Sequence, residues 1–383
     1  MAANVEDFRI DFDEQVVSDL HGRIDNVRWP DIGWDTGWGT GTHDDVLRDL
    51  VTYWRNSYDW RASLEKLNGV GRHVKIQTPG TEEQTHAIIY EPPEGVEKRS
   101  FPLLINHGWP GSVIEFIEAG PKLASHGFTV VTPSLPSFGW SDIVREPGMH
   151  PGKIALRLND VMGSLGFDHY GVQGGDWGSI IGKMIAVQCP ESVVGLHVNF
   201  GTPTPVPAGQ EPTQAEQDFL AYRAGWEPAE TGYSSLQGTR PQTLGYSQTD
   251  SPVGLLAWIL EKFWAWTEHD EDAYSLWNFV DKDLFLTNIM AYWTTGRIMS
   301  AARIYYEMTN IPVEQRALFG QPVLVPTGYA KFPAEPFAPP REMMERGSNL
   351  VHYSEYDSGG HFPAVEVSDD YVEDVTKFFT DLD

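Results

Sequence analysis

The residues best suited to chemistry begin with an aspartate at a sharp turn, Asp176 in Gly174-Gly175-Asp176-Trp177-Gly178-Ser179. The run before it, His169 to Gln173, reads as a short buried strand, and Ile180 to Val187 reads as an apolar helix. A strand, a Gly-x-nucleophile-x-Gly turn and a helix together lift one side chain into the open. Small residues at 174 and 178 let the chain turn that tightly. No Gly-x-Ser-x-Gly occurs in the 383 residues, so no serine competes for the position. A carboxylate is ionised at neutral pH without help from a base, and the following helix N-terminus favours the anion. Its attack on carbon would leave an ester that water must then cleave. A glycine turn with an N-capping aspartate is the plain alternative, and the partners decide between them.

Those partners should follow in the order nucleophile, acid, histidine if the chain has an α/β-hydrolase fold. Gly359-Gly360-His361-Phe362 supplies the histidine, the one of twelve that lies late in the chain beside paired glycines. The acid should leave the sheet after the sixth or the seventh strand. Gly201 to Gln210 holds no acid, whereas Thr327 to Pro336 contains Glu335. Asp357 is nearer to His361 in sequence, but a carboxylate four residues away at a strand end more often makes a local turn contact. Glu335 is therefore the acid expected to orient the imidazole. His107-Gly108-Trp109-Pro110-Gly111-Ser112 lies where the second oxyanion-hole amide originates. The backbone amides of Trp109 and Trp177 are assigned to that hole, and His107 to a structural hydrogen bond. A turn of this kind suits a cis Trp109–Pro110 bond.

Elements to position these groups are visible in the pattern. Eight strand-like runs occur near 74–77, 86–90, 103–106, 129–132, 169–173, 193–200, 322–326 and 351–356. From the third onward helical patterns intervene, which predicts a mostly parallel, doubly wound α/β sheet. Residues 1–70 read as a helical N-terminal extension, with a Gly/Trp loop over 31–41. Residues 71–200 and 317–383 read as two parts of one core. Between them, 201–316 is helical and holds six tryptophans, Trp226, Trp258, Trp264, Trp266, Trp277 and Trp293. It reads as a lid over the carboxyl edge of the sheet, where open α/β sheets bind ligands. Trp109, Trp177, Trp293 and Phe362 are expected to line the substrate cavity.

Composition narrows the partners. Fifty-four acidic residues against 27 basic ones give a formal charge of −27, which repels nucleic acid and anionic membranes. The chain has neither Cys/His metal spacing nor a phosphate-binding Gly-x-x-x-x-Gly-Lys motif. No metal and no cofactor are expected. A single cysteine, Cys189, suits a reducing cytoplasm. The N-terminus shows no signal-peptide pattern, and a membrane anchor is not expected. Oligomeric state is left open, a homodimer included.

The motifs resemble those of epoxide hydrolases of the microsomal type over nearly the whole chain. The resemblance rests on Arg28-Trp29-Pro30, Tyr58-Asp59-Trp60-Arg61, His107 to Ser112, Gly174 to Ser179, Tyr292-Trp293-Thr294-Thr295-Gly296 and Gly360-His361-Phe362. It implies two lid tyrosines that hold the epoxide oxygen, matched by Tyr233 and Tyr305, with Tyr306 an adjacent rival. It also implies Glu335 as the acid. The expected reaction converts an apolar epoxide and water to a vicinal diol through an ester on Asp176. A haloalkane dehalogenase shares the ester logic but needs halide donors rather than a tyrosine pair. A catalytically silent ligand-binding protein should have lost one of Asp176, His361 or the acid.

Overall fold

The computed structural model describes residues 4–34 and 37–383. Residues 35–36 of the expected Gly/Trp loop and the first three residues lie outside them. One sheet runs in the order β1-β2-β3-β5-β4-β6-β7-β8-β9. Its strands are β1 (Asn4–Asp7), β2 (Arg72–Gln77), β3 (Gln84–Tyr90), β4 (Leu103–Asn106), β5 (Val130–Pro133), β6 (Tyr170–Gly174), β7 (Val193–Val198), β8 (Val323–Lys331) and β9 (Ser348–Glu355). From β5 to β9 across the sheet every pairing is parallel; β1, β2, β3 and β5 pair antiparallel.

Among the described residues the expected eight strands are nine. β1 pairs with β2 from Asn4↔Gln77 to Asp7↔Val74, so the N-terminal extension starts as an edge strand before it turns helical. Asn-Val-Glu-Asp shows no apolar alternation and no β-branched run, and backbone ladder bonds hold it there. The extension then continues through helices Glu14–Asp25, Asp44–Asn56 and Trp60–Gly69. Asp59 caps the last of these by accepting from the Ala62 amide.

Strands β4 and β6 are buried throughout, as the centre of a sheet covered on both faces requires. The chain moves from β4 to β5 on one side and then crosses back to β6 on the other. That reversal opens a crevice at the carboxyl ends of β4 and β6, where ligands bind in such sheets. Between β7 and β8 the chain departs into helices including Gly232–Thr239, Pro252–Trp266, Lys282–Thr295 and Ile298–Thr309. Pro252–Trp266 buries Leu255, Leu256, Ile259, Leu260, Phe263 and Trp266, at spacings that reach all round the helix. No helix among the described residues is long and apolar enough to cross a membrane.

Candidate active site

Asp176 opens the helix Asp176–Gln188 directly after β6. Its φ of 48° is left-handed, a conformation few non-glycine residues hold without surrounding constraint. The constraint is close packing beneath the turn: a Cβ at Gly178 would overlap the Asn106 carbonyl oxygen. Asp176 Oδ1 accepts a hydrogen bond from the Trp109 backbone N–H at 2.8 Å. That amide belongs to the loop after β4, whose Trp109–Pro110 bond is cis. The Trp177 amide follows Asp176 in the first turn of the helix. His107 ties this loop to the one after β5: its Nε2 accepts from the Leu135 amide at 3.1 Å, which leaves Nδ1–H to donate to the Gly108 carbonyl at 2.9 Å. Burial lowers its pKa to about 4, so it stays neutral.

His361 lies after β9, its backbone N–H bonded to the Trp266 carbonyl at 2.8 Å. Its Nδ1 meets Glu335 Oε2 at 2.6 Å. Its Nε2 is buried 3.5 Å from Asp176 Oδ2 and makes no hydrogen bond of good geometry. Glu335 is buried in the loop after β8, and its second oxygen accepts from the Phe337 amide at 2.8 Å. Burial alone would lower the His361 pKa, but Glu335 and Asp176 outweigh it and hold the value well above that of a free imidazole. Asp357 is exposed.

Tyr233 stacks on Trp109, with ring centroids 5.4 Å apart. Tyr305 stands edge-on to Trp177 at 4.8 Å and to Tyr233 at 5.7 Å. Burial first, then nearby charge that includes Asp176, raises both phenol pKa values far above the ordinary range, so both remain donors. The Tyr305 hydroxyl is buried without a hydrogen bond of good geometry. Tyr306, the next residue, is 40% exposed against 7% for Tyr305. Phe362 stacks on Phe263 at 4.1 Å and meets His361 edge-on at 4.9 Å.

Trp293 departs from its expected place. Its ring lies under Arg23 of the N-terminal extension at 5.8 Å, while its neighbour Tyr292 donates to the Gly111 carbonyl at 2.7 Å. Successive helical residues point about 100° apart, so the side that reaches the loop belongs to Tyr292. The side of the helix that faces the loop beside Asp176 thus carries Tyr292, whereas Trp293, expected to line the substrate cavity, packs toward the N-terminal extension.

Several residues near the site carry roles that the sequence reading did not assign. Lys262 is a buried cation in an apolar helix, 4.7 Å over the Tyr233 ring and 2.6 Å from Glu261; its charge amid apolar residues is the signal that could have flagged it. Glu366 braces the histidine loop by accepting from the Phe362 and Glu268 amides at 2.7 and 3.1 Å. Glu115 lines the same void of ≈ 10 Å³ as Asp176, Asn199 and His361. A larger cavity of ≈ 560 Å³ runs beside Phe138, Ile304 and Tyr306. Among the described residues one group has metal-ligand character, His197, His352 and Asp374. Each imidazole Nε2 there already lies 2.8 Å from an Asp374 oxygen.

The chain matches two families, "Epoxide hydrolase N terminus" over residues 5–116 and "alpha/beta hydrolase fold" over residues 102–226. Epoxide hydrolase 1 of the pig, Sus scrofa, is 33% identical over 98% of this chain and 88% of its own. The crystal structure of juvenile hormone epoxide hydrolase from the silkworm Bombyx mori matches with a TM-score of 0.90 at 32% identity, covering 99% of this chain and 95% of that one. Epoxide hydrolase from Aspergillus niger shares the fold, with a TM-score of 0.84 at 24% identity and coverage of 99% and 97%.

Proposed function

The chain belongs to the epoxide hydrolases, and on that premise we propose how its residues divide the hydrolysis of an epoxide to a vicinal diol. Asp176 attacks an epoxide carbon; the new C–O bond forms as the ring C–O bond breaks. Tyr233 and Tyr305 donate hydrogen bonds to the oxygen that receives the electron pair. That alkoxide takes up the proton that His361 gives away once Asp176 is esterified, which leaves the imidazole neutral for the next step. Water then adds to the ester carbonyl carbon and gives a proton to His361 Nε2, with Glu335 holding Nδ1. The Trp109 and Trp177 amides stabilise the tetrahedral oxyanion. The ester C–O bond breaks as its oxygen takes the proton from His361. The regenerated Asp176 acid returns its proton to the imidazole, and the diol leaves with an oxygen that began on Asp176.

One observation carries this reading: His361 holds a buried carboxylate on Nδ1 and turns its unengaged Nε2 toward Asp176. The electrostatics support the order of steps. Asp176 is one of the two charges that keep His361 protonated. Esterification removes that charge, so the imidazole releases its proton more readily when a base is needed. The helices carrying Tyr233 and Tyr305 would act as the lid of a 201–316 insertion. They must part for substrate, because a void of ≈ 10 Å³ holds no epoxide. Trp109, Trp177 and Phe362 would line the widened cavity and favour an apolar epoxide. The buried single cysteine supports a reducing, cytoplasmic setting.

Single turnover in oxygen-18 water tests the covalent step. The label should enter the peptide containing Asp176 while the diol takes its new oxygen from the enzyme. Label passing directly into the diol would sink the ester mechanism.

A further inference from the structure

The void beside the nucleophile holds a second carboxyl group that the steps above leave unused. Glu115 belongs to the turn Val113–Phe116, immediately after the His107 to Ser112 loop. That loop lacks side chains at two places, and each absence makes room for a carboxyl group. A Cβ at Gly108 would overlap Asp176 Oδ1, and a Cβ at Gly111 would overlap Glu115 Oε1. The two acids thus share one small chamber with His361 and Asn199. The chamber's ≈ 10 Å³ is about what one water molecule requires.

We propose that Glu115 positions the water that cleaves the Asp176 ester, fixing it between the Glu115 carboxyl oxygen and His361 Nε2. The proposal rests on the roles given to Asp176 and His361 above. An attacking water has two protons. One passes to Nε2 as the oxygen bonds to Asp176 Cγ, and the other needs an acceptor that fixes the lone pair's direction. Glu115 supplies that acceptor. The transferred proton later goes to the departing alkoxide, so Glu115 neither gains nor loses a proton over the cycle.

Its charge state suits the task. Burial pushes the Glu115 carboxyl up to about 8, Asp176 adds to the rise, and His361 and the Ser112 backbone oppose it. Tyr292 and Tyr371, whose own titrations feel Glu115, are raised by burial and stay neutral. A neutral Glu115 accepts a hydrogen bond through its carbonyl oxygen. An ionised one would keep His361 protonated after esterification had removed the Asp176 charge.

The test is single turnover of styrene oxide, with adduct formation and decay followed by mass spectrometry of quenched samples. Glu115→Leu should form the adduct within about threefold of the wild-type rate and clear it on the order of 10²-fold more slowly. Glu115→Gln, neutral and keeping a carbonyl acceptor, should clear it within about threefold of wild type. Infrared spectra of the wild type should show a protonated-carboxyl stretch that fades as pH rises through about 8 and is missing in Glu115→Gln. Should the leucine variant not fold, Glu115→Ala takes its place. Adduct clearance at the wild-type rate in the leucine or alanine variant would overturn the proposal. So would a glutamine variant as slow as the leucine one, or a wild-type spectrum without the titrating band. Asp176→Ala run alongside separates the two readings, since an adduct there would break the covalent reading itself and not the Glu115 assignment alone.

Discussion

Two buried histidine–carboxylate clusters in this molecule are built from the same parts and end differently. In one, His361 meets Glu335 at 2.6 Å. In the other, His197 and His352 each meet Asp374 at 2.8 Å. The first carboxylate takes Nδ1 and leaves Nε2 turned toward Asp176 and a void. The second takes the Nε2 of both rings, and Ser354 donates to it as well. His197 Nδ1 is buried without a hydrogen bond, its ring packed against Phe378 and Phe379. The second cluster ties the helix Ser368–Thr380 to β7 and β9. A histidine–carboxylate pair is therefore not a site by itself; what the remaining nitrogen faces decides.

The comparison breaks most visibly at the nucleophile. Asp176→Ala should lose turnover by at least roughly 10⁴-fold with an unchanged melting temperature, whereas His361→Gln should accumulate an alkylated enzyme that mass spectrometry detects. Asp374→Ala should do the reverse. Leaving the buried His197 and the half-buried His352 without their carboxylate costs about 3–5 kcal/mol of stability, read by denaturant unfolding, while the turnover of folded protein stays within about twofold. Acid sharpens the contrast. Burial would raise the Asp374 pKa, but the two histidines hold it well below the usual carboxylate range. A folded-state value below the unfolded one gives stability that is present above about pH 4 and lost as pH falls further. Wild-type melting temperature should thus drop more steeply below that pH than that of Asp374→Ala; parallel curves would show that the cluster contributes no such linkage.

Smaller effects probe the groups around each catalytic residue. Tyr233→Phe and Tyr305→Phe should each slow alkylation by on the order of 10²–10³ and leave ester cleavage nearly intact in stopped-flow traces. Glu335→Gln should slow ester cleavage by about 10², while Asp357→Asn, whose side chain is exposed, should change it by less than about twofold. A larger loss in Asp357→Asn would transfer the orienting role to that residue.

Legibility in the sequence followed how local each cause is. The turn around Asp176 was readable because its glycines are adjacent in sequence and the clash they avoid lies directly beneath. The strands β4 and β6 were readable as short runs, but the reversal that opens the crevice lies in the strand order, which alternation of strands and helices does not specify. Glu335 emerged from eliminating acid-free segments and from the family resemblance, not from local pattern, since its pairing with His361 spans 26 residues. β1 was missed because an exposed edge strand held by ladder bonds carries no apolar signature. Trp293 was misplaced because tryptophan content says nothing of which helix face a ring occupies. Glu115 was invisible: Val-Ile-Glu-Phe reads as the start of a helix, and its meaning arises from a chamber that four separate chain segments enclose.

The smallest expected change repeats the lesson of the two clusters on a single helix. Tyr305 and Tyr306 are chemically identical neighbours on Ile298–Thr309, and about 100° of rotation separates their side chains. That rotation takes Tyr305 into contact with Trp109, Trp177 and Tyr233. It takes Tyr306 to the wall of the ≈ 560 Å³ cavity on the outer side, where water can satisfy its hydroxyl. Removing a phenol oxygen from an exposed ring forfeits a bond that solvent already shares. Tyr306→Phe should therefore alkylate within about twofold of the wild-type rate. A loss equal to that of Tyr305→Phe would mean that in the working enzyme the helix presents its other side to the epoxide. Facing, rather than residue type, would then have been assigned to the wrong tyrosine.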